Sequence, residues 1–452
     1  MTRNKQTAGK KHYKIGLTAA MAVVVANMVG TGVFTSLGFQ VTDITDGFSL
    51  LLLWALGGVL ALFGAFTYGE LGAALPRNGG EYNFLTRIYH PLPGFLAGWV
   101  SIFIGFAAPI AAAALAMGDY SLGMLGIDSG EPVQEKTIAT IVVLLIGGVH
   151  LMHLKAISGF QTLFTLFKLI LIAGLIVAGF VLTDDPQISF APVKDSFQNI
   201  GSMPFAASLV WVMLAYSGWN AASYIVDDLR KPGKDLPRSL FIGTALVILL
   251  YVLLNAVFLY AAPISELAMK KDVGHVAARF IFGNAGGAVV SGLISFALIS
   301  TISSMTWAGP RVSAAIGADM RLFGFLSHRN RYGIPHKAVI FQLILIVPMI
   351  WLVSFENLIE FTSVLLSIFS FLAVLGVFVL RVREPQLKRP YKAWGYPFTP
   401  AVFLLITGWM IVYFLRMKPE ILIAILITLL AGTVFWFIST QLTKKLSDKT
   451  GK

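Results

Sequence analysis

The chain has no cysteine among its 452 residues. That excludes disulfides, thiol catalysis and thiolate metal sites, and with them a covalent link to a partner subunit. Charge is scarce too: 12% of the residues are charged and 57% are hydrophobic, where a soluble domain carries roughly 25% charged residues. Such a composition cannot hide its apolar surface from water, but lipid is a solvent in which it need not. No low-complexity tract or polar domain interrupts the chain, and no Gly-rich Walker motif, which argues against drive by ATP. The apolar segments contain no Ser–Lys pair, paired Asp or His-Glu-x-x-His suited to catalysis, so the chain is not expected to be an enzyme. No cofactor is expected, and nothing before the first apolar run reads as a cleaved signal peptide.

What is present is a series of apolar runs near the ~20 residues needed to cross a bilayer. Twelve are expected to span: Ile15–Phe39, Phe48–Leu75, Gly94–Leu122, Thr137–Leu154, Ser158–Leu182, Pro204–Leu229, Leu236–Ala261, Gly286–Ile316, Ala338–Val353, Leu358–Leu380, Pro400–Leu415 and Ile421–Leu442. The net charge of +12 follows this division. With an inside N-terminus, the inward segments hold 25 of the 34 basic residues and the outward loops seven. This asymmetry is the mark of cytoplasmic loops and predicts that both termini are cytoplasmic. It points to lipid headgroups as the partners of the basic residues, Arg381 to Lys392 above all, and not to nucleic acid.

Two of the spans carry glycine and a hydroxyl residue at mid-length, in Val29-Gly30-Thr31-Gly32-Val33-Phe34 and in Ala215-Tyr216-Ser217-Gly218-Trp219. Glycine costs up to ~1 kcal/mol inside a helix. It also lets two membrane helices approach closely, so either feature alone is as well explained by packing. Breaks in the first and sixth spans instead suggest two five-span repeats. An opened helix offers N–H groups to a carboxylate and C=O groups to an ammonium or a metal cation. A zwitterionic amino acid would meet both. Thr31 and Gly32 are the expected carboxylate donors. The carbonyls of Met28 and Val29, with those near Leu214 to Ser217, are expected to face the ammonium.

Three ordered motifs extend this reading. Gly30-Thr31-Gly32-Val33-Phe34 resembles a signature of the amino acid–polyamine–organocation superfamily. Tyr68-Gly69-Glu70-Leu71-Gly72 with Pro76-Arg77-Asn78-Gly79-Gly80-Glu81-Tyr82, and Ala215-Tyr216-Ser217-Gly218-Trp219-Asn220 with Asp227-Asp228-Leu229-Arg230-Lys231-Pro232 and Leu236-Pro237-Arg238, resemble motifs of its L-type amino acid transporter branch. The resemblance implies an all-α membrane protein with 12 transmembrane helices. It would have a LeuT-like inverted repeat of five plus five (15–183 and 202–381), two additional helices (400–442) and cytoplasmic tails at 1–14 and 443–452.

The resemblance also implies a substrate held by Asn27, Met28, Val29, Gly30, Thr31, Gly32, Leu214, Ala215, Tyr216, Ser217, Gly218 and Asn220. Leu214 departs from the family, which places an aromatic gate there; leucine offers no π face to an ammonium, so Tyr216 or Trp211 is an alternative closure. Asn27 reads equally as a pocket residue or as a helix–helix hydrogen bond. Asn220 stands where acid-resistance exchangers carry a proton-sensing carboxylate, so that switch is expected to be absent. Animal L-type relatives pair with a glycoprotein through a disulfide, a link that the lack of cysteine forbids here.

Lys168 lies ten residues into its span, or ~15 Å along the helix axis. A lysine at that depth costs roughly 3 kcal/mol to insert and is a functional hypothesis by default. It matches a fifth-span lysine of the L-type branch, near the site where sodium-coupled relatives hold a cation. Its expected role is an ammonium in place of sodium, tying first-span carbonyls to Thr301 and Ser304. The alternatives are a proton carrier and a purely structural lysine. Glu70 and Arg311, near span ends, read as capping or snorkelling residues, and His150 and His153 as interfacial. The aromatic stripes read as packing or lipid-facing.

The expectation is therefore a bacterial inner-membrane amino acid transporter. Neutral amino acids are favoured because no acidic residue is apparent in the inferred pocket. Sodium-independent exchange is favoured, with proton-coupled symport, a cationic amino acid or polyamine transporter, and a channel or receptor as alternatives.

Overall fold

A computed structural model of the protein describes residues 14–450, apart from 128–131, 153 and 195. Among the described residues the backbone is almost wholly helical, with Ile15 and Leu229 forming an isolated β-bridge. The chain is a multi-pass membrane protein. In lipid the polar backbone must satisfy its own N–H and C=O groups, and the helix does so within one segment.

In chain order the α-helices are α1 (Leu17–Met28), α2 (Gly32–Gln40), α3 (Gly47–Ala74), α4 (Glu81–Ile88), α5 (Pro91–Val100) and α6 (Ala107–Met124). They continue with α7 (Pro132–His150), α8 (Leu154–Leu182), α9 (Ser196–Asn199), α10 (Met203–Ala215), α11 (Pro232–Ala261) and α12 (Ile264–Leu267). The last are α13 (Val273–Asp319), α14 (His336–Leu352), α15 (Phe355–Arg383), α16 (Phe398–Met417) and α17 (Pro419–Thr450). Ten stretches are long and apolar enough to cross a membrane, while α10 and α14 are apolar but shorter. Side-chain caps fix several starts: Asp46 accepts from the Ser49 N–H, Ser202 from Phe205 and Ser354 from Asn357.

Two segments are less regular than their composition suggests. The run expected at Gly94–Leu122 joins α5 to α6 through a π-turn at Ser101–Gly105. The run expected from Gly286 begins already at Val273 and bends at Gly283, where φ is +75°. Ile15, Arg77, Arg230 and Arg381 share one end of the helices, the basic face, where Ile15 pairs with Asp228 and Arg230 and the Asp227 N–H donates to Asn78.

Three charged or titratable groups sit deeper than their sequence positions suggest. Glu70 is almost fully buried, bound by Arg381 (Nε at 2.9 Å, Nη2 at 2.6 Å) and the Ala393 N–H at 2.7 Å, with Arg389 Nε at 3.3 Å. It is the hub of an ion cluster, not a snorkelling residue. Arg311 pairs with Asp228 at 3.2 Å. His150 is buried, its Nε2 2.9 Å from Ser303 Oγ, so it is not interfacial. His153 lies outside the described residues.

Candidate functional site

The first and sixth apolar runs are both broken. Between α1 and α2, Val29 takes a non-helical conformation (φ −73°, ψ 86°). After α10 the chain turns through 216–220, with Gly218 at φ +95°, and resumes as a 3-10 helix at Ala221–Asp228. The glycines do more than loosen these helices. A Cβ on Gly32 would stand 2.4 Å from Ala215 Cα, and one on Gly218 would stand 2.8 Å from the Asn27 carbonyl carbon. Each break has a glycine because the other break is packed against it.

The backbone groups freed by the breaks have different fates. Among the described residues no acceptor meets the first two N–H groups of α2, on Gly32 and Val33, while that of Phe34 donates to the Thr31 carbonyl at 2.9 Å; the free pair sits at the positive end of the helix dipole, which leaves the Thr31–Gly32 edge suited to an anion. The carbonyls expected to face an ammonium are already engaged. The Val29 carbonyl accepts from Lys168 Nζ and, at 2.9 Å, from Thr301 Oγ1; Lys168 Nζ also reaches Thr301 Oγ1 at 2.8 Å. Lys168 is completely buried. Ser304 stands one turn further along, donating to the Thr301 carbonyl at 2.9 Å. The Met28 carbonyl accepts from Tyr251 Oη at 2.5 Å, and the same hydroxyl lies 3.2 Å from the Ala215 carbonyl. Tyr251 thus spans both breaks from α11, a bridge that its place in an aromatic-rich span conceals.

Two adjoining cavities flank the breaks. One, about 20 Å³, is lined by Asn27, Met28, Gly30, Thr31, Gly32, Leu214, Ala215, Ser217 and Thr301 among others. That is room for about one water. The second, about 70 Å³, shares Asn27, Pro109, Leu214, Ser217 and Met305 with the first and continues past Gly218 to Asn220, Tyr224 and Glu81. Leu214 therefore stands between the two. Asn27 lines both, while its amide donates to the Val23 carbonyl of its own helix at 2.8 Å. Val29, Lys168 and Ser304 lie behind the cavities. Tyr216 also lines neither; it is fully buried against Trp54 and Tyr251.

Glu81 is the group that the sequence reading missed. It comes from the connection between α3 and α5, yet it is buried and lines the larger cavity. This overturns the premise that the pocket holds no acidic residue. Glu81 Oε1 accepts from Tyr68 Oη at 2.8 Å and from Asn220 Nδ2 at 2.7 Å. Burial pushes its carboxyl upward, opposed by hydrogen bonds from its own amide, Tyr224, Tyr68 and Asn220. The neighbouring Gly80, at φ +52°, is the backbone feature that turns this loop inward.

Side-chain and backbone contacts cross between helices on either side of the cavities. On the basic face, Ile15 pairs through its backbone with Asp228 and Arg230, and Asp319 receives Arg77 and Tyr82 at 2.6 Å each. At the opposite face, Phe39 of α2 stacks on Trp211 of α10 with ring centres 4.4 Å apart, and Phe355 lies behind Phe39. Lys271 covers Phe355, its Nζ 3.7 Å from Asp119 and 3.9 Å from Glu135. Trp211 thus belongs to this aromatic stack and does not line either cavity.

The sequence profile of the amino acid permease family matches residues 15–441. The serine/threonine exchanger SteT of Bacillus subtilis (strain 168) is 32% identical over 86% of this chain and 87% of its own length. The human b(0,+)-type amino acid transporter 1 is 27% identical over 94% of this chain and 87% of its own length. The human large neutral amino acids transporter small subunit 2 is 27% identical over 94% of this chain and 80% of its own length.

Proposed function

The chain belongs to the amino acid permease family, and we propose on that premise that it exchanges neutral L-amino acids across a bacterial inner membrane without sodium. The observation that carries the proposal is the pair of helix breaks packed on each other, with the unpartnered N–H groups of α2 beside a cavity. In this reading the amino acid carboxylate docks on the Thr31–Gly32 edge, where N–H groups and dipole act together. Its ammonium lies against the remaining carbonyl lone pairs of α1 and α10, and its side chain enters the larger cavity past Leu214. Asn27, Ser217, Gly218 and Asn220 would form the walls.

The cavities are too small to receive an amino acid with both faces closed, so loading requires one face to open. Arg77–Asp319 would part for one face and the Phe39–Trp211–Lys271 closure for the other, which is alternating access. Lys168 would hold the Val29 carbonyl in place of a sodium ion throughout. We take the twelve apolar segments as twelve spans, arranged as two inverted repeats with two additional helices, and both termini as cytoplasmic. That the B. subtilis relative is an exchanger supports exchange over net uptake. Proton-coupled symport, with Lys168 carrying the proton, is the second mechanism. Glu81 in the cavity wall favours a second substrate reading, a cationic amino acid.

Counterflow decides between these. Proteoliposomes preloaded with labelled amino acid should release it only when unlabelled amino acid is added outside, with or without sodium. Release into substrate-free buffer, accelerated by a pH gradient, would overturn exchange in favour of symport. Counterflow by lysine but not by neutral amino acids would favour the cationic reading.

A further inference from the structure

Asn220 lines the larger cavity, and its amide is held from behind. Nδ2 donates to Glu81 Oε1 at 2.7 Å and to Tyr224 Oη at 3.0 Å, which commits both of its hydrogens. Among the described residues no donor reaches Oδ1, so this carbonyl is the polar atom that Asn220 has left for a ligand. An amide can ordinarily turn over and exchange its oxygen for its nitrogen. Here it cannot do so freely, because Glu81 Oε1 is already an acceptor for Tyr68 Oη and Asn220 Nδ2 and has no hydrogen to offer, and the flip would set Oδ1 against it. Glu81 is kept in place by Tyr68 Oη at 2.8 Å and is the first residue of α4, where the helix dipole also favours the carboxylate.

We infer that Glu81 is a positioning residue that fixes the Asn220 amide so that its carbonyl faces the cavity, and that the transporter therefore selects amino acids whose side chain carries a hydrogen-bond donor. The inference rests on the reading above, in which the substrate side chain enters this cavity. It adds a selection rule: a hydroxyl or amide side chain is matched, and an isosteric hydrocarbon leaves Oδ1 buried without a partner. Such an orphaned acceptor costs a substrate its affinity, even where shape and volume fit.

The test uses pairs of similar size, threonine against valine and glutamine against methionine, in proteoliposome counterflow by the full chain. KM and the maximal rate are measured separately. Wild type should favour the donor member of at least one pair by roughly 10-fold or more in KM. Glu81→Gln removes the constraint, because a glutamine accepts either orientation of Asn220, and the KM ratio should fall to about 2 or less. Loss of structure lowers transport of both members and leaves their ratio unchanged, so the ratio reports positioning. Asn220→Ala should give the same low ratio, and the double variant no further change, since both act through one carbonyl. A wild-type ratio near one in both pairs overturns the inference, as does a Glu81→Gln ratio equal to that of wild type. Failure of every amino acid to drive counterflow instead removes the proposed function, and this inference with it.

Discussion

Lys168 and Thr301, 133 residues apart in the chain, converge on a single oxygen, the Val29 carbonyl at the break between α1 and α2. The ammonium and the hydroxyl also bond to each other at 2.8 Å. This triangle fixes one side of the break from α8 and α13, while Tyr251 fixes the other side from α11. The N–H edge of α2 is therefore held by three separate helices before any substrate arrives, and it keeps its direction without being paired.

If the triangle sets that direction, removing its charge should disable the cycle. Lys168→Ala is expected to lower counterflow by about 100-fold, the order of loss that follows a ~1 Å misplacement of a binding group. Thr301→Ala should cost less, about 10-fold, because Lys168 still holds the Val29 carbonyl; one retained hydrogen bond to a charged donor accounts for the difference. Counterflow is measured at equal and unequal pH across the membrane. Unchanged exchange by Lys168→Ala would make the lysine structural, and loss confined to the imposed pH gradient would make it a proton carrier.

The contact between the two breaks is sensitive to a single methyl group. Gly32→Ala would place Cβ 2.4 Å from the Ala215 Cα, a backbone atom that no rotamer change can move. Gly218→Ala adds strain from a φ of +95° to a Cβ 2.8 Å from the Asn27 carbonyl carbon. Each substitution is expected to cost roughly 1–3 kcal/mol and to abolish counterflow, read as a lower melting temperature in detergent together with loss of exchange. Gly174→Ala, with open space around its Cβ, is the control and should leave both readouts unchanged.

The two closures make opposite predictions for accessibility, and the absence of native cysteine makes them easy to read. A cysteine at Met305, which lines both cavities, should react slowly with a membrane-impermeant maleimide. Arg77→Ala should raise its labelling from the basic face by about 3- to 5-fold, the range expected from losing an exposed ion pair worth ~1 kcal/mol. Lys271→Ala should raise labelling from the opposite face. Equal acceleration from both faces in either variant would show that the two ion clusters are not separate gates.

The large features of this protein were readable because they are written in local chemistry. Ten helices long and apolar enough to cross a membrane, two shorter apolar ones, two breaks at glycines and one lysine buried in an apolar helix all lie in short windows of sequence. The family resemblance ties Lys168 to Thr301 and Ser304, and of the two it is Thr301 that meets the ammonium, while Ser304 donates to the Thr301 carbonyl. What escaped was set by folding over distance. Glu81 belongs by sequence to a polar connection, and its entry into the cavity follows from the positive-φ turn at Gly80 and from the hydrogen bonds that Tyr68 and Asn220 donate to it. Tyr251 looked like one aromatic among many, since hydropathy does not distinguish a hydroxyl that bridges two breaks from one at an interface. His150 looked interfacial because it ends an apolar helix, and its partner Ser303 is 153 residues away.

Asp46 shows how acid should act on the fold outside the transport site. It caps α3 through the Ser49 N–H at 2.8 Å, and its oxygens also receive Ser196 Oγ and Asn199 Nδ2 at 2.8 Å each. It thereby ties the start of α3 to α9. Partial burial pushes its carboxyl upward, but the hydrogen bonds from Ser49, Ser196 and Asn199 outweigh it and hold the carboxyl below its ordinary value. A carboxyl held lower in the folded state than in the unfolded one contributes stability above the unfolded value of ~3.9. It loses that contribution as the pH falls through the folded value. Asp46→Asn keeps a good capping oxygen but has no proton to gain. The melting temperature of wild type should therefore exceed that of the variant by a constant amount above about pH 5, and the two should converge as the pH falls below ~3.9. A difference that persists unchanged to pH 3, or grows on acidification, would show that the charge on Asp46 does not carry the cap.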